Sequence, residues 1–87
     1  MEGRKAPRIL VVEDSVTMRT MLADWFNERG YQSTAVSSAE DADLALNKSP
    51  FDLVTLDLNL PGTNGHQWLV AQRRNGLTTP VLSLIHI

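Results

Sequence analysis

Short apolar segments alternate with segments of helical character along the whole chain, and this alternation constrains the fold more than any other feature. The first and third apolar segments are rich in aliphatic and β-branched residues, and the second alternates apolar with polar side chains. The pattern predicts strands over residues 8–12, 31–36, 52–56 and 79–87.

Each intervening segment carries the signals of a helix. From Ser15 to Arg29, apolar residues recur at the three-and-four spacing of one helical face, and Gly30 provides a stop. A second helix is predicted to begin after Ser38, since Asp41 stands three positions later as in a capping box. The third is predicted over residues 65–74, with Gly76 as its stop.

Strands that alternate with helices through short links predict a parallel sheet joined by right-handed helical crossovers. The predicted fold class is therefore α/β, a doubly wound parallel sheet with three helices, for which 2-1-3-4 is our hypothesis of the strand order. We expect residues 1–7 to be a disordered N-terminus and residues 8–87 to form one domain.

Acidic residues follow two of the predicted strands. Glu13 and Asp14 come directly after the first strand, and Asp57 directly after the third. Ligands of open parallel sheets bind at the carboxyl ends of the strands, where the strand order reverses. With the order 2-1-3-4 these strands are neighbours, so we expect three carboxylates at one edge. Taken singly, each acid has an ordinary alternative, because acids at strand ends commonly cap helices, as Asp14 is placed to do for the first helix.

Such a group of carboxylates predicts a site for a hard divalent cation. Neighbouring carboxylates repel one another unless protons or a cation balance their charge. Mg²⁺ takes oxygen ligands and usually relies on one or two carboxylates together with water. A carboxylate beside such an ion can also attack phosphorus, because the metal offsets the charge of the incoming phosphoryl group and aspartyl phosphate is a recognised covalent intermediate.

Two motifs closely resemble those of a known family. The segments "ILVVEDSVTMRTML" (residues 9–22) and "LVTLDLNLPGTNG" (residues 53–65), with a helix, a strand and a helix between them, are similar to the receiver domain of bacterial two-component response regulators. The resemblance extends from Arg8 to about Leu82. It implies a flavodoxin-like domain that is not itself an enzyme and that accepts a phosphoryl group, with Mg²⁺ bound, from a phosphohistidine of a sensor histidine kinase or phosphotransfer protein.

The resemblance also implies a role for individual residues. Asp57 corresponds to the phosphoacceptor and contacts the metal, and Asp14 to a direct metal ligand. Glu13 corresponds to an acid that acts on the metal through water, and Asn59 to the residue that offers its backbone carbonyl. The residues that match the loop signature, and are expected to shape the loop, are Pro61 and Gly65.

The C-terminal part departs from the family pattern. Counted from Pro80, the positions where the family has Ser or Thr followed by Ala hold Ile85 and His86, and Ser83 comes two positions early. No residue is assigned to that hydroxyl or to the lysine of the family's fifth strand. We therefore expect an incomplete sheet, a receiver truncated before its fourth helix and defective as a switch.

Two other functions compete with the phosphoacceptor. An Mg²⁺-dependent phosphatase with an aspartate nucleophile needs a second aspartate two residues later as general acid, and this chain has Asn59 there. A pseudo-receiver would act only as a binding module, and its partner binding would survive the loss of the Asp57 carboxylate.

Composition restricts partners and compartment. The net charge is -2 and the basic residues form no stripe, so we expect no nucleic-acid binding by this segment. No apolar run approaches the length of a membrane span, so no membrane association is expected. The absence of cysteine excludes thiolate metal sites and fits the cytoplasm. The cognate kinase, the signal, the output domain and the oligomeric state are left open.

Several other side chains have less specialised interpretations. Trp25 and Trp68 stand at core spacing on their helices and are expected to pack inside, whereas Gln72 weakens the inner face of the third helix. The remaining candidates are interpreted as solvated cations (Arg19, Arg73 and Arg74) and as histidines without a metal role (His66 and His86).

Overall fold

The structure, a computed structural model, describes residues 6–60 and 64–84. Its elements are β1 (Arg8–Val12), α1 (Val16–Glu28), β2 (Gln32–Val36), α2 (Ala39–Lys48), β3 (Leu53–Asp57), α3 (Gly65–Arg74) and β4 (Val81–Leu84). The strands form one parallel sheet in the order β2-β1-β3-β4, which confirms the predicted α/β class and strand order. Within the described residues, no helix has both the length and the apolar character needed to cross a membrane.

The pairing register sets which strand ends lie side by side. Val12 of β1 pairs with Leu56 of β3, and Asp57 pairs with Leu84 of β4. The residue that follows β1 and the last residue of β3 are therefore level with each other at the carboxyl edge of the sheet. At the opposite edge, the backbone N–H of Gln32 donates to the carbonyl of Pro7.

Each helix begins at a side chain that accepts from its first turn. The oxygens of Ser15, Ser38 and Asn64 accept hydrogen bonds from backbone N–H groups two or three residues later. Gly30 and Gly76 have φ of 89° and 95°, which only glycine adopts without strain, and they end α1 and α3. The capping role of Ser38 and both glycine stops are confirmed.

The two faces of the sheet carry separate hydrophobic clusters. The larger cluster lies under α2 and α3 and contains the buried residues Leu10, Val12, Ala39, Ala42, Phe51, Val54, Leu56, Leu60 and Trp68. The smaller cluster lies under α1 and contains Ile9, Val11 and Phe26. Helices on both faces make the sheet doubly wound.

The face of α1 is less buried than its apolar spacing predicted. Trp68 is buried as predicted, but the expectation for Trp25 is wrong, because 48% of its surface is exposed. The Trp25 ring packs instead under the guanidinium of Arg29, with the guanidinium carbon 3.8 Å from the ring centroid. Beside it runs an apolar groove of about 290 Å³, lined by Met18, Met21, Leu22, Trp25, Phe26, Thr55, Leu82 and Leu84.

Candidate functional site

Two buried carboxylates lie at the carboxyl edge of the sheet. Asp57 is the last residue of β3, and Glu13 directly follows β1. Because Val12 and Leu56 are paired, the residues that follow them, Glu13 and Asp57, lie at the same level on neighbouring strands. Glu13 is 0% exposed and Asp57 is 3% exposed. Burial of two acids side by side is costly unless a proton or a cation balances their charge.

Short backbone turns hold both carboxylates. Oδ1 of Asp57 accepts a hydrogen bond of 2.9 Å from the backbone N–H of Asn59. Oε2 of Glu13 accepts one of 3.1 Å from the backbone N–H of Ser15, whose own side chain caps α1. The backbone of Glu13 continues the sheet, since its N–H donates to the carbonyl of Val36 at 3.0 Å. The acids are therefore fixed by the same turns that begin the following segments.

Asp14 is exposed, in contrast to its neighbour Glu13. Its backbone is held by Arg19, whose guanidinium donates to the carbonyls of Glu13 at 3.0 Å and of Asp14 at 3.1 Å. The expectation that Arg19 only faces solvent is wrong, because this side chain closes the loop between β1 and α1. Asp14 is therefore an exposed acid next to the two buried ones, on a loop that Arg19 holds in place.

Gly65 brings the start of α3 against the backbone that carries Asp57. A Cβ atom at this position would lie 2.8 Å from Cα of Leu58 and 2.9 Å from the carbonyl oxygen of Asp57. The position therefore excludes every larger residue through close approach rather than through a left-handed backbone. The other residue expected to shape the loop, Pro61, lies outside the described residues.

The donor atoms at this edge suit a hard cation. Mg²⁺ is bound by carboxylate and carbonyl oxygens, with water completing its octahedron, and one or two carboxylates are usually enough. Glu13 and Asp57 provide the carboxylates, and Asn59 stands two residues after Asp57 with its own carbonyl. In residues 6–60 and 64–84 no group of three or more His, Cys, Asp or Glu side chains is arranged to hold a metal ion. The register therefore brings the backbones of Glu13 and Asp57 to one edge of the sheet, and the metal-ligand roles of Asp57, Glu13, Asn59 and Asp14 stay predictions.

The C-terminal strand places no hydroxyl level with Asp57. Ser83 pairs with Leu56, and the partner of Asp57 in the register is Leu84. Ser83 is also exposed. The two positions at which the family pattern expects the hydroxyl and the alanine, Ile85 and His86, lie outside the described residues.

A polar cluster between α2 and α3 was missed by the sequence analysis. Oδ1 of Asp43 accepts hydrogen bonds of 2.9 Å from Nε1 of Trp68 and of 2.9 Å from Nε2 of Gln72. Gln72 therefore ties α3 to α2, and the expectation that it weakens this face is wrong. In the sequence, the acid Asp43 and the amide Gln72 each stand in the apolar stripe of their helix. No rule of sequence spacing connects two such residues across two helices.

Of the other basic residues, Arg73 has a local structural role. The guanidinium of Arg73 donates to the carbonyls of Leu77 and Thr79, both at 2.8 Å, so it braces the turn before β4 rather than only facing solvent. His66 is exposed in the first turn of α3.

Comparison with known proteins gives one consistent family. The family model described as "Response regulator receiver domain" matches residues 9–85. Sensor histidine kinase RcsC of Escherichia coli is 37% identical over 76 residues, which are 87% of this chain and 8% of the kinase. This chain thus spans only a small part of the kinases it matches.

Solved structures agree with the sequence matches. A receiver domain of Francisella response regulator 1452 superposes with a TM-score of 0.86 at 25% identity, covering 91% of this chain and 65% of that one. A sensor protein from Polaromonas sp. JS666 gives a TM-score of 0.85 at 31% identity, again covering 91% and 65%. Both chains extend beyond the segment that this chain matches.

Proposed function

This chain belongs to the response regulator receiver domain family, and we propose that it serves as a phosphoacceptor in a two-component phosphorelay, with Asp57 as the residue that is modified. Its donor would be a phosphohistidine on a sensor histidine kinase or a phosphotransfer protein. The match to a sensor kinase supports partners of this kind. We further propose that it works in the cytoplasm, that it is not an enzyme with a substrate of its own, and that it binds neither membrane nor nucleic acid.

The observation that carries the proposal is the buried Asp57 carboxylate beside a second buried acid. A carboxylate that served only as a helix cap would stand in solvent and accept from the first turn of a helix. Asp57 is 3% exposed, and α3 is capped by Asn64 instead. Burial of Asp57 beside a second acid is costly unless a cation or a proton balances their charge, and a helix cap would not need such burial. The burial therefore favours a functional role for Asp57.

The hydrogen bond to Asp57 distinguishes its two oxygens. Among the described residues, Oδ1 accepts from the N–H of Asn59, and no donor bonds to Oδ2. We assign Oδ2 as the attacking oxygen. It forms a bond to phosphorus as the bond from phosphorus to the imidazole nitrogen of the donor breaks, and the released imidazole takes a proton from water. The product is an acyl phosphate on Asp57 and a neutral histidine on the donor.

A cation explains how this reaction proceeds at an acidic edge. Mg²⁺, when bound, offsets the negative charge of the incoming phosphoryl group. The residues that would hold it are Asp57, Glu13 acting through water, and the carbonyl of Asn59, with Asp14 as the predicted ligand from the rim. The phosphorylated side chain gains a charge of roughly -1.5 to -2, so the same cation also balances the product.

The phosphatase alternative has little support. Its general acid must lie two residues after the nucleophile, and Asn59 has no proton of suitable acidity to give. No observation favours it over the phosphoacceptor.

Labelling with a small phosphodonor tests the proposal. The chain is treated with acetyl phosphate and Mg²⁺, the acyl phosphate is trapped by borohydride reduction, and the modified residue is mapped by mass spectrometry. We expect slow labelling that is confined to Asp57, and no labelling when Mg²⁺ is removed with a chelator.

Two variants at opposite ends of β3 provide the matched control. Asp57→Asn should abolish labelling, whereas Asp52→Asn should label like the parent, since Asp52 is exposed and directly precedes β3 at the far edge of the sheet. A label on another acid, or a label that survives in Asp57→Asn, would overturn the assignment.

A further inference from the structure

The helices α2 and α3 are joined by hydrogen bonds that converge on one oxygen. Oδ1 of Asp43, on α2, accepts from the indole N–H of Trp68 and from the amide of Gln72, each at 2.9 Å. Trp68 and Gln72 are four residues apart on α3, so both lie on the face that meets α2. We call these three residues the polar clamp.

The clamp is partly withdrawn from water. Trp68 is 6% exposed and belongs to the larger hydrophobic cluster, while Asp43 and Gln72 are half-buried. If the acceptor were lost, the indole N–H of Trp68 would be left buried without a partner, which is the costly case.

The clamp lies one helical turn from the backbone of Asp57. Gly65 precedes Trp68 by three residues, about 4.5 Å along the helix axis. Its Cα region touches the backbone of Asp57 and Leu58 so closely that a Cβ would lie within 2.9 Å of the Asp57 carbonyl oxygen. Movement of α3 relative to α2 therefore moves the backbone that carries the Asp57 carboxylate.

We propose that Asp43 is a positioning residue for the phosphoacceptor: through Trp68 and Gln72 it fixes α3 against α2, and through Gly65 it fixes the backbone that presents Asp57. This inference rests on the proposed phosphoacceptor function. The carboxylate acts as a hydrogen-bond acceptor rather than as a charge, because its role is to hold two neutral donors. Asparagine keeps such an oxygen at this position and leucine does not.

Three variants of α2 test the clamp. Asp43→Leu removes the acceptor, and Asp43→Asn keeps a carbonyl oxygen in its place. Asp41→Leu is the matched control, because Asp41 is an exposed acid on the same helix and two residues from Asp43, hence about 200° around the helix axis. Each variant is labelled at Asp57 with acetyl phosphate and Mg²⁺, and rates are compared per folded molecule.

We expect Asp43→Leu to lower the labelling rate by roughly 10-fold to 100-fold, as displacement of a reacting group by about 1 Å does. Asp43→Asn should stay within about 3-fold of the parent and Asp41→Leu should match it, because both keep the two donors satisfied. In ¹⁵N NMR spectra, Asp43→Leu should shift the indole signal of Trp68 and the amide signals of Asp57 and Gly65, and Asp41→Leu should shift none of them.

Parent-like labelling by Asp43→Leu, or labelling by Asp43→Asn as slow as that of Asp43→Leu, would overturn the inference. The NMR measurement distinguishes failure of the inference about Asp43 from failure of the proposed function. If the parent takes no phosphoryl group on Asp57, the function fails, and the clamp is then judged from the amide signals alone: unchanged signals of Asp57 and Gly65 in Asp43→Leu refute it, and shifted signals support it.

Discussion

The two faces of the sheet differ in how closely their helices cover them. The face under α2 and α3 has a continuous cluster of buried aliphatic and aromatic side chains, closed at one side by the polar clamp. The face under α1 has a small cluster and an open groove in which Met21, Trp25 and Leu82 are more than 45% exposed. The well-packed face is the one whose helix touches the backbone of Asp57.

This difference indicates which contacts fix the backbone at the acid pair. Close packing transmits displacement, whereas a loosely covered face absorbs it. The backbone of Asp57 is fixed by α3, and α3 is fixed by the larger cluster and by Asp43. We therefore expect substitutions on the α2 and α3 face to change both stability and labelling of Asp57, and truncation of the exposed side chains of the groove to change little of either.

A pair of truncations gives the largest expected effect. Leu56 is 0% exposed in the larger cluster, and Leu82 is 53% exposed in the groove. Leu56→Ala should lower the free energy of unfolding by about 2 to 5 kcal/mol, because it leaves a cavity. Leu82→Ala should lower it by less than about 1 kcal/mol, since half of this side chain already meets water. Urea unfolding monitored by circular dichroism measures both, and equal losses would refute the contrast between the faces.

A smaller effect is expected at the floor of the groove. Thr55 is 1% exposed, and its hydroxyl has no hydrogen-bond partner among the described residues. Thr55→Val removes a buried polar group while keeping the shape, so it should raise the free energy of unfolding by about 1 kcal/mol. Thr34→Val at an exposed position of β2 controls for the strand preference of valine and should change stability by less than about 0.5 kcal/mol. A loss of stability in Thr55→Val would show that its hydroxyl is satisfied.

Much of the fold followed from local patterns in the sequence. The helix stop at Gly30 and the cap at Ser38 each depend on residues close together in the chain, and both were predicted correctly. The strand order pairs residues that lie far apart in the chain, and the hypothesis 2-1-3-4 was also confirmed. The level position of Glu13 and Asp57 followed from the strand order alone, because parallel strands end at one edge.

The errors concern contacts between distant elements. Trp25 and Trp68 have the same helical spacing, yet only Trp68 is buried, because burial depends on what the opposite element supplies rather than on periodicity. The clamp of Asp43 to Trp68 crosses 25 positions of sequence. Arg19 looked like a solvated cation because its acceptors are backbone carbonyls, which carry no sequence signal.

We propose that the buried carboxylates of Glu13 and Asp57 belong to one cation site at the edge of the sheet. Titration with Mg²⁺, followed by the NMR signals of the side-chain carboxyl carbons, tests it directly. We predict saturable shifts at Glu13 and Asp57 that Asp57→Asn weakens strongly, with Asp52 as an unshifted internal reference. If Glu13 and Asp57 do not respond to Mg²⁺, or respond no more than Asp52 does, the proposed cation site is refuted.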